Sequence, residues 1–179
     1  MALKPGKTID EICYPFIYET SYLCDFEVAT DELCGLIGAV IALLPESFNE
    51  IHRDLDTLQP LTFHLNGSIR GKLAVKEEDL NWLLQRYHHY QKHTAECASG
   101  FVLPRGPQPV PQLNQARSAA KKAIRLMVRI DQEGIEVPDI LHRFCNLMCN
   151  YFFVLILYIN KTIKFKETPF ISKSYRLKK

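Results

Sequence analysis

Residues 139–161 have the sequence DILHRFCNLMCNYFFVLILYINK, which is apolar on almost every side of a helix. An α-helix that is apolar all round must be surrounded by protein, either at the centre of a bundle or between subunits. Its most apolar part, residues 151–159, is far shorter than the ~20 residues that a membrane span requires. This segment therefore predicts a helical fold packed around it and no membrane span.

The chain upstream of this segment contains four stretches in which apolar residues recur at helical spacing. These helices are predicted at about 30–44, 47–60, 76–97 and 113–130. No stretch alternates between polar and apolar residues as a half-buried strand does. The predicted fold is therefore all-α, an antiparallel five-helix bundle with a ferritin-like up-down arrangement.

Capping residues and helix breakers set the predicted ends of these helices. Thr30 and Ser47 are the expected N-caps of the first two helices, since their hydroxyls accept bonds from free backbone N–H groups. Pro60 is expected to end or kink the second helix, because proline lacks the N–H that the helix ladder needs. Asn66-Gly67-Ser68 predicts a turn, followed by a linking loop to Ala74.

Length and charge limit the class of protein. The 179 residues predict a single domain over 1–179, with a flexible N-terminal segment at 1–20 and a basic C-terminal tail at 164–179. The tail is expected to be solvated rather than to bind phosphate. A net charge of only +2 argues against a nucleic-acid binder. The six cysteines are scattered and the first residues are polar, so we expect a soluble cytoplasmic protein with reduced thiols.

Several motifs of enzyme sites are incomplete in this sequence. Gly6-Lys7-Thr8 resembles the end of a phosphate-binding P-loop but lacks its first glycine. The Glu-x-x-His pairs of a di-iron bundle are missing from the sequence. His89 and His93 are more simply a solvated face than a two-ligand metal site, and Cys97 is too far along the helix to join them on one ion. No metal site is predicted.

Two other features favour a ligand site. Residues 99–112 include six glycines and prolines among fourteen residues, which predicts a long stiff loop carrying the apolar Phe101. Phe101 is expected either to pack on the third helix or to cover a bound molecule.

The second feature is a row of cations on the fourth helix. Arg117, Lys121 and Arg125 are four residues apart and so share one face, with Lys122 beside them. A solvated basic stripe is the simple interpretation. Asn146 and Asn150 interrupt the apolar fifth helix, however, and buried amides need partners. Cations and amides that converge would suit a polyphosphate.

Four segments together resemble the corrinoid adenosyltransferases of the propanediol-utilisation type, which transfer the adenosyl group of ATP to cob(I)alamin. They follow the family's order and are 26–38, 101–106, 116–125 and 146–155. The resemblance implies a homotrimer with active sites between subunits. It also implies ATP with Mg²⁺ and cobalamin as the substrate, and a reductase or an adenosylcobalamin-dependent enzyme as a further partner.

The resemblance assigns roles to individual residues. Phe101 would displace the lower ligand of cobalt, which eases its reduction to the Co(I) nucleophile. Arg117 would pair with Asp31 of a neighbouring subunit. ATP would be bound by Lys4, Gly6, Lys7, Thr8, Lys121, Lys122, Arg125 and Asn146. The corrinoid would contact Phe101, Val102 and Asn150.

The sequence departs from the family pattern on the ATP side. The N-terminal ATP loop is reduced to Lys4–Thr8, and Lys121 stands where the family has arginine. Ile124 and Asn150 each replace an acid. Two functions therefore remain open: a divergent adenosyltransferase, or a non-catalytic corrinoid-binding or scaffold relative of the same fold.

Overall fold

The computed structural model describes residues 6–97 and 100–174, and its long elements are α-helices. They are α1 (Tyr22–Leu43), α2 (Asn49–Ser68), α3 (Glu77–Thr94), α4 (Val110–Gln132) and α5 (Asp139–Thr162). In these ranges the β-structure is one isolated antiparallel bridge, between Val102 and Pro169. The predicted all-α, five-helix fold is confirmed.

Consecutive helices alternate in direction, as side-chain contacts along their lengths show. α3 and α5 lie side by side and run in the same direction, so they form a parallel pair. Glu77 and Arg143 pair at 2.7 Å where the two helices start, and Glu96 and Lys161 pair at 2.6 Å where they end. α4 is antiparallel to α5, since the Cys145 thiol donates to the Ala120 carbonyl and the Cys149 thiol to that of Arg117.

α5 is the central helix. Leu141, Phe144, Phe152 and Leu155 are completely buried along one side of it, and the four consecutive residues 154–157 are all buried, so its second half is enclosed on every side. By length and composition α5 is apolar enough to cross a membrane, but 61% of its most apolar window is buried inside the bundle. Its apolar surface is therefore used as protein core, as the sequence predicted.

The predicted start of the first helix is wrong. α1 begins at Tyr22, with the Ser21 hydroxyl accepting from the Leu23 N–H at 3.1 Å. Thr30 lies fully buried within α1, where its hydroxyl donates to the Phe26 carbonyl at 2.8 Å instead of capping a helix. Asp31 consequently lies in mid-helix rather than in a first turn.

The predicted limits of the second helix are also wrong. α2 starts at Asn49, after a short 3-10 turn over Glu46–Phe48, and it continues through Pro60 to Ser68. Leu58 and Thr62 are completely buried on either side of Pro60, so core packing holds the helix across the missing N–H. Residues 66–68 form the last turn of α2 rather than a loop.

The long loop is shorter than predicted, because α4 begins at Val110. Pro111 lies at the start of that helix, where the absence of an N–H costs little. The third and fifth helices match their predicted ranges closely, apart from a 3-10 turn at Ala95–Cys97.

A buried polar cluster joins three helices across the core. The Asp54 carboxylate on α2 accepts through Oδ2 from Arg86 Nε at 2.9 Å, Tyr90 OH at 2.9 Å and Tyr151 OH at 3.1 Å. Burial, reinforced by the negative charge of Asp54, raises the pKa of Tyr90 and of Tyr151 well above the ordinary value of a phenol. Both phenols therefore remain hydrogen-bond donors at neutral pH.

Candidate functional site

The described part of the predicted flexible segment 1–20 is fastened to the bundle through Arg70 at the end of α2. The Arg70 guanidinium binds the buried Glu27 carboxylate at 3.0 Å and that of Glu19 at 2.8 Å, and it stacks on the Phe16 ring. Burial and the neighbouring Glu27 carboxylate raise the pKa of Tyr14 to about 12. Residues 14–19 thus pack beside α1 and α2.

Arg117 lies on the face of the bundle formed by α4 and α5. Its guanidinium stacks over the Phe153 ring at 5.1 Å. Its Nε is buried and has no hydrogen-bond partner among the described residues. A buried guanidinium N–H without an acceptor is costly, so this donor is suited to a carboxylate or phosphate from outside the chain.

Lys121 and Arg125 continue this cationic face along α4, and both are exposed. The positive charges of Lys121 and Arg117 lie near the Cys149 thiol and oppose the rise in its pKa that burial causes. Asn146 and Asn150 are exposed on α5 rather than buried as the sequence argument assumed. These two amides are therefore not unpaired buried groups, and the neighbouring cations are the feature that would attract a ligand.

Lys122 is turned away from this face toward α1. Its ammonium group lies 3.3 Å from Glu32 Oε2, and both side chains are more than half exposed. The structure thus brings Arg117, Lys121 and Arg125 onto one surface and places Lys122 on the next.

A groove continues from the cationic face between the end of α4 and the start of α5. Its volume is about 420 Å³. Its apolar lining is Ile124, Met127, Val128 and Val137, and its polar lining is Asp131, Gln132, His142 and Asn146. Ile124, the residue that stands where the family has an acid, is therefore part of an apolar surface.

Asp31 lies on the other side of the bundle. It is exposed on α1 and lines a cavity of about 460 Å³ together with Ile17, Val28 and Phe63. Within residues 6–97 and 100–174, Asp31 and Arg117 take part in no ion pair, either with each other or with another residue.

Phe101 is 53% exposed, so it is not a core residue packed on α3. Its loop pairs with the C-terminal segment, so the prediction of a solvated tail over 164–179 is wrong for residues 168–170. The Phe101 carbonyl accepts from the Phe170 N–H at 2.8 Å, and the Leu103 N–H donates to the Thr168 carbonyl at 2.9 Å. Phe170 is 48% exposed, and its apolar character within a basic tail was the signal that could have revealed this pairing.

The remaining candidate residues are not gathered at one place. Lys7 and Thr8 are exposed, and the Lys7 N–H donates to Glu11 of the adjoining 3-10 turn. Gly6 precedes them and is partly buried, whereas Lys4 lies outside the described residues. His89 bonds to Glu50 at 3.4 Å. Across the two described ranges no group of three metal-binding side chains occurs.

Comparison with known proteins accounts for this architecture. The sequence model of the family described as cobalamin adenosyltransferase matches residues 19–159. The chain belongs to the cobalamin adenosyltransferase family. The match covers α1 to α4 and nearly all of α5, so the family identification made from four short segments is confirmed. A search of curated proteins gave no significant match.

Solved structures of this family share the fold. A phenylalanine-to-alanine variant of the PduO-type ATP:corrinoid adenosyltransferase from Lactobacillus reuteri, complexed with cobalamin and ATP, has a TM-score of 0.78 at 21% identity, covering 87% of this chain and 90% of its own. A phenylalanine-to-histidine variant in the same complex has a TM-score of 0.77 at 21% identity over 86% of each chain. An arginine-to-lysine variant complexed with ATP has a TM-score of 0.77 at 22% identity, covering 87% and 90%.

Proposed function

We propose that the protein transfers the 5′-deoxyadenosyl group of ATP to cob(I)alamin, forming adenosylcobalamin and releasing triphosphate. The supporting observation is the cationic α4 face. Among the described residues, none of Arg117, Lys121 and Arg125 is neutralised by an ion pair, and the Nε of Arg117 is buried without a partner. In a family of adenosyltransferases, such a face suits the triphosphate that leaves with several negative charges.

The reaction needs little covalent chemistry from the protein. The electron pair of Co(I) attacks the C5′ carbon of the ribose, the C5′–O bond breaks, and its electrons leave with the triphosphate. Lys121 and Arg125, with Asn146 beside them, would stabilise that charge, and Lys122 would contribute if it leaves Glu32. Mg²⁺ would arrive on the phosphates of ATP, since the described residues offer no cluster of their own to hold it. Gly6, Lys7 and Thr8 of one subunit would close over the nucleotide.

The corrinoid would bind Phe101 and Val102 at the end of the bundle where α5 ends, and Asn150, midway along α5, would be a further contact. Phe101 is half exposed on a loop that two backbone hydrogen bonds join to the segment after α5. A ring in this position would cover the lower face of the corrin and exclude the axial ligand. Cobalt would then be four-coordinate and easier to reduce.

We propose a homotrimer in which Arg117 of one subunit pairs with Asp31 of the next. The exposed Asp31 is surrounded by the exposed apolar side chains of Val28 and Phe63, as expected of a surface that another subunit covers. We expect the single domain 1–179 to act in the cytoplasm, with a reductase or an adenosylcobalamin-dependent enzyme as partner.

A second candidate is a corrinoid binder or scaffold without transferase activity. The observation in its favour is that the Lys7 N–H bonds to the adjacent Glu11 and that residues 6–8 form no hydrogen bond to the described part of α4. Incubation with reduced cobalamin and Mg-ATP separates the two functions. An enzyme produces the absorbance change of Co–C bond formation, whereas a binder takes up cobalamin without it. Failure to bind cobalamin in either oxidation state would exclude the enzyme and the corrinoid binder and would leave the scaffold.

A further inference from the structure

Asn160, near the end of α5, lies at the junction of three segments and is completely buried. Its side-chain Nδ2 donates to the Arg105 carbonyl at 3.0 Å and to Glu167 Oε1 at 2.8 Å. Its backbone carbonyl accepts from the Phe165 N–H at 2.8 Å. One amide side chain therefore connects α5, the loop that carries Phe101 and the segment that follows α5.

Two backbone features bring these segments together. Lys164 has a φ of 58°, in the left-handed region, which reverses the chain after α5 and returns it toward the loop. Gly106 permits the loop to approach Asn160, because a Cβ at that position would lie 2.5 Å from Asn160 Oδ1 and 2.8 Å from the Cβ of Val110. The loop and the returning segment then pair over residues 101–103 and 168–170, which we call the flap.

We propose that Asn160 is the positioning residue that holds the flap, and through it the Phe101 ring, in place for the corrinoid. The inference rests on the proposed function for its catalytic consequence but not for its structural part. Hydrogen bonds within the flap are few and lie near the surface, so they offer little rigidity by themselves. The two bonds from the buried amide fix the flap to α5, the most buried helix.

The chemistry of the amide is specific. A leucine at position 160 would have nearly the same shape but would leave the Arg105 carbonyl and the Glu167 carboxylate without their donor. An aspartate would in addition place a second carboxylate against Glu167. The double variant Asn160→Asp, Glu167→Gln exchanges the amide and the carboxylate. The amide introduced at position 167 would then donate to the carboxylate introduced at position 160.

Backbone hydrogen exchange of the substrate-free protein tests the structural part. In Asn160→Leu, exchange at the Leu103 and Phe170 amides should accelerate about tenfold or more, while amides in the middle of α1 and α4 should be unchanged. The matched control is Asn81→Leu, since Asn81 is exposed on α3. Unchanged exchange at both flap amides in Asn160→Leu would overturn the proposal, whatever the protein does with cobalamin.

Steady-state kinetics test the catalytic part. Asn160→Leu and Asn160→Asp should lose about tenfold or more in kcat/KM when cob(II)alamin with a reductant is varied, and the KM for ATP should stay within about twofold. The Asn160→Asp, Glu167→Gln double variant should recover part of the loss. Equal losses toward both substrates, or no recovery, would contradict a positioning role. A wild-type protein that shows no transfer would refute the proposed function, and the exchange experiment would still decide whether Asn160 holds the flap.

Discussion

The hydroxyl of Tyr151, midway along α5, donates a 3.1 Å hydrogen bond to Asp54 Oδ2 on α2. Tyr151 is completely buried and Asp54 is 7% exposed. This bond fixes the rotation of α5 about its axis, since Tyr151 must point inward to make it. Phe153, two residues further on, is thereby directed outward, where the Arg117 guanidinium stacks on it. A core hydrogen bond thus helps to place the candidate site.

We expect Tyr151→Phe to lower the free energy of unfolding by about 1.5–3 kcal/mol, because it removes a buried hydrogen bond to a charged group. Tyr158→Phe is the control, since Tyr158 contacts Tyr90 through its ring and phenylalanine keeps that ring. Urea unfolding of both variants measures the difference. Equal stability of the two variants would contradict the importance of the Asp54 bond.

Stability should fall in alkaline solution. The pKa of Tyr151 and of Tyr90 is raised in the folded protein by burial. Their contribution is therefore complete below the unfolded phenol pKa of about 10 and is lost as the pH rises above it. Above that pH, each of the two phenols should lower the free energy of unfolding by about 1.4 kcal/mol per pH unit. Tyr151→Phe should remove one of these two contributions. Urea unfolding at several pH values is the measurement, and an unchanged slope in the variant would oppose this expectation.

Phe101→Ala should leave stability nearly unchanged, within about 1 kcal/mol, because the ring is half exposed. Phe26→Ala, at a completely buried position, should cost about 3–5 kcal/mol and serves as the contrasting control. In Phe101→Ala the rate of adenosylation from cob(II)alamin should fall to a small fraction of the wild-type rate. The rate from chemically prepared cob(I)alamin should fall much less. Equal losses from both oxidation states would argue against the ligand-displacing role.

Arg117→Ala and Asp31→Ala should each weaken the trimer and the activity, and each single variant should lose more than the double variant. An unpaired charge in an interface is the costly state, so we expect a coupling energy of about 0.5–3 kcal/mol. Light scattering measures the trimer, and an adenosylation assay measures the activity, in the wild type, the two single variants and the double variant. Glu77→Ala with Arg143→Ala is the control pair, since its ions are exposed and pair within one chain. A monomeric wild type or additive effects would count against the intersubunit pair.

Lys121→Ala should raise the KM for ATP by about tenfold or more, because a charge-assisted contact to phosphate is lost. Lys122→Ala should raise it less, since Lys122 faces Glu32 on the α1 side. Lys121→Arg should retain ATP binding, as its guanidinium keeps the charge and adds a second donor. Equal effects at positions 121 and 122 would indicate that Lys122 leaves Glu32 to bind the nucleotide.

The helices were predicted well where their apolar pattern is long and poorly at their ends. Pro60 and residues 66–68 carry strong local signals for a break, yet α2 passes through both because its flanking residues are buried in the core. Thr30 is a good N-cap by residue type, but a buried hydroxyl can bond within the helix equally well. Local preferences of about 1 kcal/mol for a cap and about 3 kcal/mol for a proline are outweighed by packing of a whole helix face.

Sequence alone was enough for four features, since they follow from spacing along one helix or from motifs in register: the all-α class, the burial of residues 139–161, the family and the face shared by Arg117, Lys121 and Arg125. Three other features required the folded structure: Lys122 turns to Glu32, Asn146 and Asn150 are exposed, and the Phe101 loop pairs with residues 168–170. These facts depend on contacts between segments far apart in the chain. The periodicity of one segment carries no information about which distant segment will lie against it.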